Sequence, residues 1–160
     1  MPLITLTDTQ MAEAKKVALR RLNESTHYKD TFPTDPKNYY KIDLLGTVSE
    51  MAVATFLGLP WTGATKIKAS DVAGFEVRSS QRKDGKDYWL YIREHDKDGI
   101  YIFCVVDGPN VVIAGWSTAY QVRSVGTLLY KDTNCYGLSR KSLYPMWQLQ
   151  EVVEYAESKP

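Results

Sequence analysis

Residues Ser70–Gly85 read SDVAGFEVRSSQRKDG, and the way this stretch folds decides how the rest of the chain is arranged. Before it the apolar residues recur with a helical period. From residue 73 onward they alternate, with Phe75, Val77 and Ser79 on one side and Glu76, Arg78 and Ser80 on the other, as in a strand. Asp71 falls just before the strand entrance, and a turn through Ala73-Gly74 can bring it back toward Glu76. The charges then have two readings: the solvated rim of a β-hairpin, or a set of oxygen ligands with a cation beside them.

Downstream, DYWLYIRE (87–94), IYIFCVVD (100–107) and NVVIAGWST (110–118) are rich in β-branched and aromatic residues, and KDGK and DKDG separate them as turns. The region from Phe75 to Trp116 is therefore expected to form an antiparallel meander of about four strands. TAYQVRS reads as a short helix and GTLLYKDTNCYGLS as mostly loop. SLYPMWQLQEVVEYAE reads as a final helix, with Ser142 as its cap and Pro145 in its first turn.

Upstream, TDTQMAEAKKVALRRLNES is a helix. Thr7 and Gln10 have capping-box spacing, and Met11, Ala14, Val17, Ala18 and Leu22 form its apolar stripe. Lys15, Lys16, Arg20 and Arg21 occupy its other side, either as a solvated face or as a phosphate-contacting one. The proline-bearing stretch THYKDTFPTDPKNYY reads as a loop. KIDLLGTVSEMAVATFLGLPW then forms a second, largely buried helix that stops at Gly58 and Pro60. Glu50 is the one acid between Asp43 and Asp71 and sits in this apolar helix. Either it lies on a narrow polar strip with Thr47, Ser49 and Thr55, or it faces something positive, because a buried carboxylate without a partner is costly. The order helices, sheet, helix implies one α+β domain over residues 1–160. Its layering would be α/β/α, with a central mostly antiparallel or mixed sheet flanked by helices.

Composition narrows the function classes. The chain has 160 residues, 44% hydrophobic and 24% charged, enough for one domain with a real core. Its 11 Tyr and 4 Trp argue against disorder. A net charge of +1 gives no bulk electrostatic grip on nucleic acid but allows a local basic patch. Cys104 and Cys135 are too few for a disulfide framework and lack zinc-ligand spacing, so a reducing cytoplasm is the expected setting. No apolar run reaches the roughly 18 residues that span a bilayer, and the N-terminus lacks a signal-peptide pattern, so no membrane partner is expected.

Two carboxylates and a main-chain carbonyl suit Mg²⁺, a hard ion that prefers oxygen and keeps several waters. A cation beside such a site can hold a phosphate. The arrangement of a helical Glu50, then Asp71, then Glu76-x-Arg78 resembles the PD-(D/E)xK nuclease superfamily, whose core is the restriction-endonuclease-like fold. The resemblance covers about Leu44 to Trp116: GTVSEMAVATFLGL resembles the family's first core helix and SDVAGFEVRSS its metal hairpin. The chain also resembles uncharacterised phage and bacterial proteins with a similar hairpin and a later GW strand.

That resemblance implies a Mg²⁺-dependent nuclease, with Mn²⁺ as substitute, acting on nucleic acid and on DNA first. Glu50, Asp71, Glu76 and the Val77 carbonyl would be the metal ligands, and Arg78 would stabilise charge at the scissile phosphate. Lys15, Lys16, Arg20, Arg21, Lys83 and Lys86 would contact the backbone of the nucleic acid. Arg78 stands where the family usually has Lys; it binds phosphate well but does not give up its proton. The alternative is therefore a nuclease fold that no longer cuts and instead binds nucleic acid or a host protein, as a phage inhibitor or assembly factor would, in the host cytoplasm.

Other residues carry weaker signals. His27 lies in a polar loop, and His95 is next to Asp96 in a turn, an adjacency that does not by itself give triad geometry. Tyr39, Tyr40, Tyr88, Trp89 and Tyr91 either stack bases or pack strands. Phosphate-loop, dinucleotide and hydrolase-elbow glycine motifs do not occur.

Overall fold

A computed structural model describes residues 1–24, 36–63, 71–130 and 134–158. The chain folds as an α+β protein. Its elements are β1 (Leu3–Thr5), α1 (Asp8–Glu24), α2 (Pro36–Leu57), β2 (Glu76–Gln81), β3 (Trp89–Arg93), β4 (Ile100–Asp107), β5 (Asn110–Thr118), α3 (Ala119–Val125), β6 (Thr127–Tyr130), β7 (Cys135–Ser139), a 3₁₀ turn (Arg140–Ser142) and α4 (Met146–Ser158).

Helix α1 starts as its spacing requires. The Thr7 N–H donates to Gln10 Oε1 at 2.9 Å, and the Gln10 N–H donates to Thr7 Oγ1 at 3.1 Å, a reciprocal capping box. Ala14, Val17 and Ala18 of its apolar stripe are buried. Helix α2 begins at Pro36, five residues before Lys41, so PKNYY is helical rather than loop. Proline fits there because the first helical position has no use for its missing N–H. The helix ends at Gly58, whose φ of +68° allows the Leu59 N–H to reach back to the Ala54 carbonyl at 2.9 Å.

The strands do not form one meander. A four-stranded sheet has the order β1-β5-β4-β2, and a separate three-stranded sheet has the order β3-β7-β6. β4 and β5 make the expected antiparallel hairpin through Gly108-Pro109, but β2 lies parallel to β4, with Val77 opposite Ile102. β3 leaves to pair with β7. The turn signals at KDGK and DKDG are real, but they connect strands of different sheets. GTLLYKDTNCYGLS, expected as loop, supplies β6 and β7, which are short, and β7 contains Gly137. α3 forms as expected, capped by the Thr118 hydroxyl accepting from the Gln121 N–H at 3.0 Å. α4 begins one residue after Pro145, and Ser142 closes the 3₁₀ turn instead of capping the helix.

β4 separates two cores. Ile102, Cys104 and Val106 face the layer of α1, α2 and α4, where Val48, Met51, Ala52, Leu149 and Val153 join them. Tyr101, Phe103 and Val105 face the small sheet and α3, packing with Leu90, Ile92, Ala119 and Val122. The second face of the main sheet is thus covered by strands together with one short helix.

Near the middle of β5 the register shifts: Phe103 pairs with Gly115 and Cys104 with Ile113, which leaves Ala114 as the extra residue of a bulge. Gly115 has φ +148°, and Trp116 exchanges backbone hydrogen bonds with Tyr144 at 3.0 and 2.8 Å. This bridge seats the segment leading into α4 against the sheet.

Candidate functional site

The elements that carry Glu50, Asp71, Glu76 and Arg78 meet where the chain enters β2, the end strand of the larger sheet. The strand alternates as its sequence pattern requires. Phe75 and Val77 are half-buried against the helical core. Glu76 and Arg78 lie on the opposite face, in register with Tyr101 and Phe103.

Asp71 sits across the entrance. Val72 and Phe75 exchange backbone hydrogen bonds at 3.1 and 2.7 Å, a tight turn that uses Ala73 at φ +42° and Gly74 at φ +94°. The turn aims Asp71 Oδ2 at the Val77 N–H, which donates to it at 2.8 Å. A strand residue presents its N–H and C=O to the same side, so the Val77 carbonyl faces the same edge.

Glu50 is 3% exposed, and it takes the positive-partner option. Arg21 grips it with both branches of its guanidinium, Nη1 to Oε2 at 2.7 Å and Nη2 to Oε1 at 2.9 Å, and Trp61 Nε1 lies 3.4 Å from Oε1. Arg21 therefore does not belong to the solvated face of α1; it turns inward to neutralise an acid from α2. The Thr47 hydroxyl donates to the Ala14 carbonyl at 3.0 Å and so ties the same two helices together.

The turn after β3 supplies partners on the other face. Lys97 Nζ is 2.6 Å from Glu76 Oε1, and an Arg78 Nη is 3.3 Å from Asp96 Oδ2. The Tyr101 hydroxyl donates to the Lys97 carbonyl at 2.8 Å, and the Arg93 N–H donates to Asp96 Oδ2 at 2.8 Å, so the turn is anchored over the strand. Arg78 also lies 5.3 Å from the centre of the Tyr101 ring.

The structure brings Asp71 within electrostatic reach of both Glu50 and Glu76. Its carboxyl is pushed up to about 7, first by burial and then by Glu50, with Glu76 adding to the effect; the Val77 N–H and Arg21 pull the other way. Among the described residues, no group of three or more His, Cys, Asp or Glu side chains is close enough to grip one ion. Asp71 is thus flanked by the other two acids, which approach from opposite faces of the sheet.

This elevation predicts a pH effect. An aspartate ordinarily near 3.8 but near 7 in the fold binds more protons folded than unfolded over that interval. Its contribution to stability is largest below about pH 4 and is lost as pH rises toward 7. In chelator-treated protein, Asp71→Asn keeps an acceptor for the Val77 N–H and should raise stability at pH 8 by about 2 kcal/mol, with little change at pH 4. Urea melts at the two pH values measure the difference; equal effects at both would show that Asp71 is not crowded.

The remaining candidates are dispersed. Lys15 and Arg20 are exposed on α1, and Arg20 donates to the Gly63 carbonyl at 2.8 Å. Lys83 and Lys86 are exposed in the loop after β2, well along the chain from Asp71. His95 is exposed beside Asp96, and His27 lies outside the described residues. Tyr39 and Tyr88 are buried packing residues, Tyr40 and Trp89 are half-buried, and Tyr91 is exposed. Cys104 is buried, and burial pushes its thiol far up, which leaves it inert.

Sequence reasoning missed Arg21, Asp96 and Lys97 as members of this cluster. The one signal for Arg21 was Glu50, the one acid in the apolar stretch of α2 after Asp43, which demanded a cation; nothing local identified which one.

No family model, no curated protein and no solved structure matches the chain. Among the described residues, no helix is long and apolar enough to cross a membrane.

Proposed function

We propose that the chain is a Mg²⁺-dependent nuclease with a restriction-endonuclease-like core, whose reaction is hydrolysis of phosphodiester bonds in DNA. The observation that carries this reading is the edge of β2, where Asp71 is hydrogen-bonded to the Val77 N–H and flanked by Glu50 and Glu76. Mg²⁺ takes one or two carboxylates and retains waters, so the donors at this edge fit it without a three-acid cluster. Asp71, Glu76 and the Val77 carbonyl would hold the ion. Glu50, with both oxygens on Arg21, would act through water. When bound, the ion supplies a charge that polarises the phosphate and lowers the pKa of water. Arg78, on the face of Glu76, would exchange Asp96 for a phosphate oxygen, and Lys97 would add a second positive charge.

A second reading has its own support. Arg21 and Lys97 already neutralise Glu50 and Glu76, and Arg78 is turned toward Asp96. A nuclease fold of this kind would bind nucleic acid or a host protein without cutting.

Calorimetric titration with Mg²⁺ and Mn²⁺, followed by cleavage of plasmid and single-stranded DNA, separates the two. Under the nuclease reading, Mg²⁺ raises the melting temperature, Asp71→Asn and Glu76→Gln abolish that rise, and Arg78→Ala lowers cleavage about 10²- to 10³-fold while Arg78→Lys keeps much of it. Metal binding without cleavage of either DNA would favour the second reading. Full activity in all four variants would remove the site.

A further inference from the structure

The far end of β2 carries a second set of features. There the loop Arg82–Asp87 is built around Tyr88, whose hydroxyl accepts from the Lys83 N–H and donates to the Lys83 carbonyl, both at 2.9 Å. The Arg140 N–H donates to the Tyr88 carbonyl at 3.0 Å, so the 3₁₀ turn is fastened to the same residue. Arg140 and Lys86 place their charges 5.2 and 5.8 Å from the centre of the Tyr88 ring. These cations therefore stand on a backbone already held in place.

Two cavities, of about 490 and 630 Å³, share Arg140 in their walls. The smaller is lined by Lys83 and Lys86 together with Asp84 and Asp87. The larger adds Lys141 and an apolar wall that includes Phe56, Leu143 and Trp147. Trp147 lies in the first turn of α4, which is anchored by buried Met146 and Leu149, and its side chain is 57% exposed.

A run of positioned cations leading to an accessible aromatic ring matches single-stranded nucleic acid, in which phosphates track the charges and an unpaired base stacks on the ring. Duplex DNA would satisfy the cations but keeps its bases stacked on one another. We infer that the groove from Lys83 and Lys86 through Arg140 and Lys141 to Trp147 binds a single nucleic-acid strand, with a base stacked on Trp147. The inference rests on the reading that the chain handles nucleic acid, and it adds a strand-binding groove remote from Asp71.

The test is anisotropy of a labelled oligothymidylate in EDTA, which stops metal-dependent cleavage. Lys86→Gln and Lys141→Gln should each weaken binding several-fold and lower the salt slope by about 0.7. Trp147→Ala should weaken it about tenfold or more without changing that slope, and Trp147→Phe should restore most of the loss. All three positions are exposed, so melting temperatures should stay at the wild-type value. The inference is overturned if wild type does not bind at low salt, if Trp147→Ala binds normally, or if polyglutamate competes as well as the oligonucleotide, which would indicate an acidic peptide partner. Intact groove binding with no cleavage under any metal would count against the nuclease reading alone.

Discussion

Replacing Arg21 with methionine should destabilise the protein by about 3–5 kcal/mol, the cost of leaving one member of a buried ion pair without its partner. Glu50 would lose both of its guanidinium hydrogen bonds in a site where Asp71 already repels it. For a chain of this size the midpoint should fall by roughly 10 °C. Glu50→Gln should be milder, about 1–2 kcal/mol, because the amide still accepts a hydrogen bond and Arg21 keeps the nearby charges of Asp71 and Asp43. The double variant Arg21→Met/Glu50→Leu should recover most of the loss, since an apolar pair of similar volume removes both desolvated charges. Denaturant unfolding of wild type, Arg21→Met, Glu50→Leu and the double variant measures the cycle. A double variant as unstable as the sum of the two singles would mean that the pair is not coupled.

Gly115→Ala should be comparably damaging, on the order of 3–5 kcal/mol. At φ +148° an alanine is strained by about 1–3 kcal/mol. Its Cβ would also come 2.6 Å from the Tyr144 carbonyl oxygen and 2.8 Å from Leu143 Cβ. The backbone carbonyl cannot rotate away without breaking the Trp116–Tyr144 bridge, so those hydrogen bonds would be lost as well. Gly108→Ala is the control: its φ of +58° is also left-handed, but nothing lies within 4 Å of the added carbon. Chemical denaturation should show a much larger drop in midpoint for Gly115→Ala than for Gly108→Ala. Similar drops would mean that the contact with Tyr144 is not the cause.

Local signals in the sequence were legible where one residue's chemistry suffices. Thr7 and Gln10 set the start of α1, Gly58 the end of α2, and alternation put Phe75 and Val77 on one side of β2 and Glu76 and Arg78 on the other. Strand partnership was not legible. KDGK and DKDG have the composition of hairpin turns, yet β3 pairs with β7 and β2 runs parallel to β4. Turn composition says that the chain reverses; it does not say which edge the next strand finds, and that choice is made by long-range packing. The same limit applied at the candidate site. Glu50, Asp71 and Glu76 stood out as acids among apolar residues, whereas Arg21, Asp96 and Lys97 looked like ordinary surface charges. Their roles come from elements 29 and 21 residues away in sequence, as between Glu50 and Arg21 or Lys97 and Glu76.

The position of β4 has a thermodynamic consequence. Successive residues of this one strand supply Ile102, Cys104 and Val106 to the helical core and Tyr101, Phe103 and Val105 to the core beneath the small sheet. β4 cannot leave one core without leaving the other, so any loosening of this strand is felt in both. A defect on the side of α3 therefore weakens the helices holding Glu50 and Arg21, and a ligand gripping the β2 edge protects the small sheet as well.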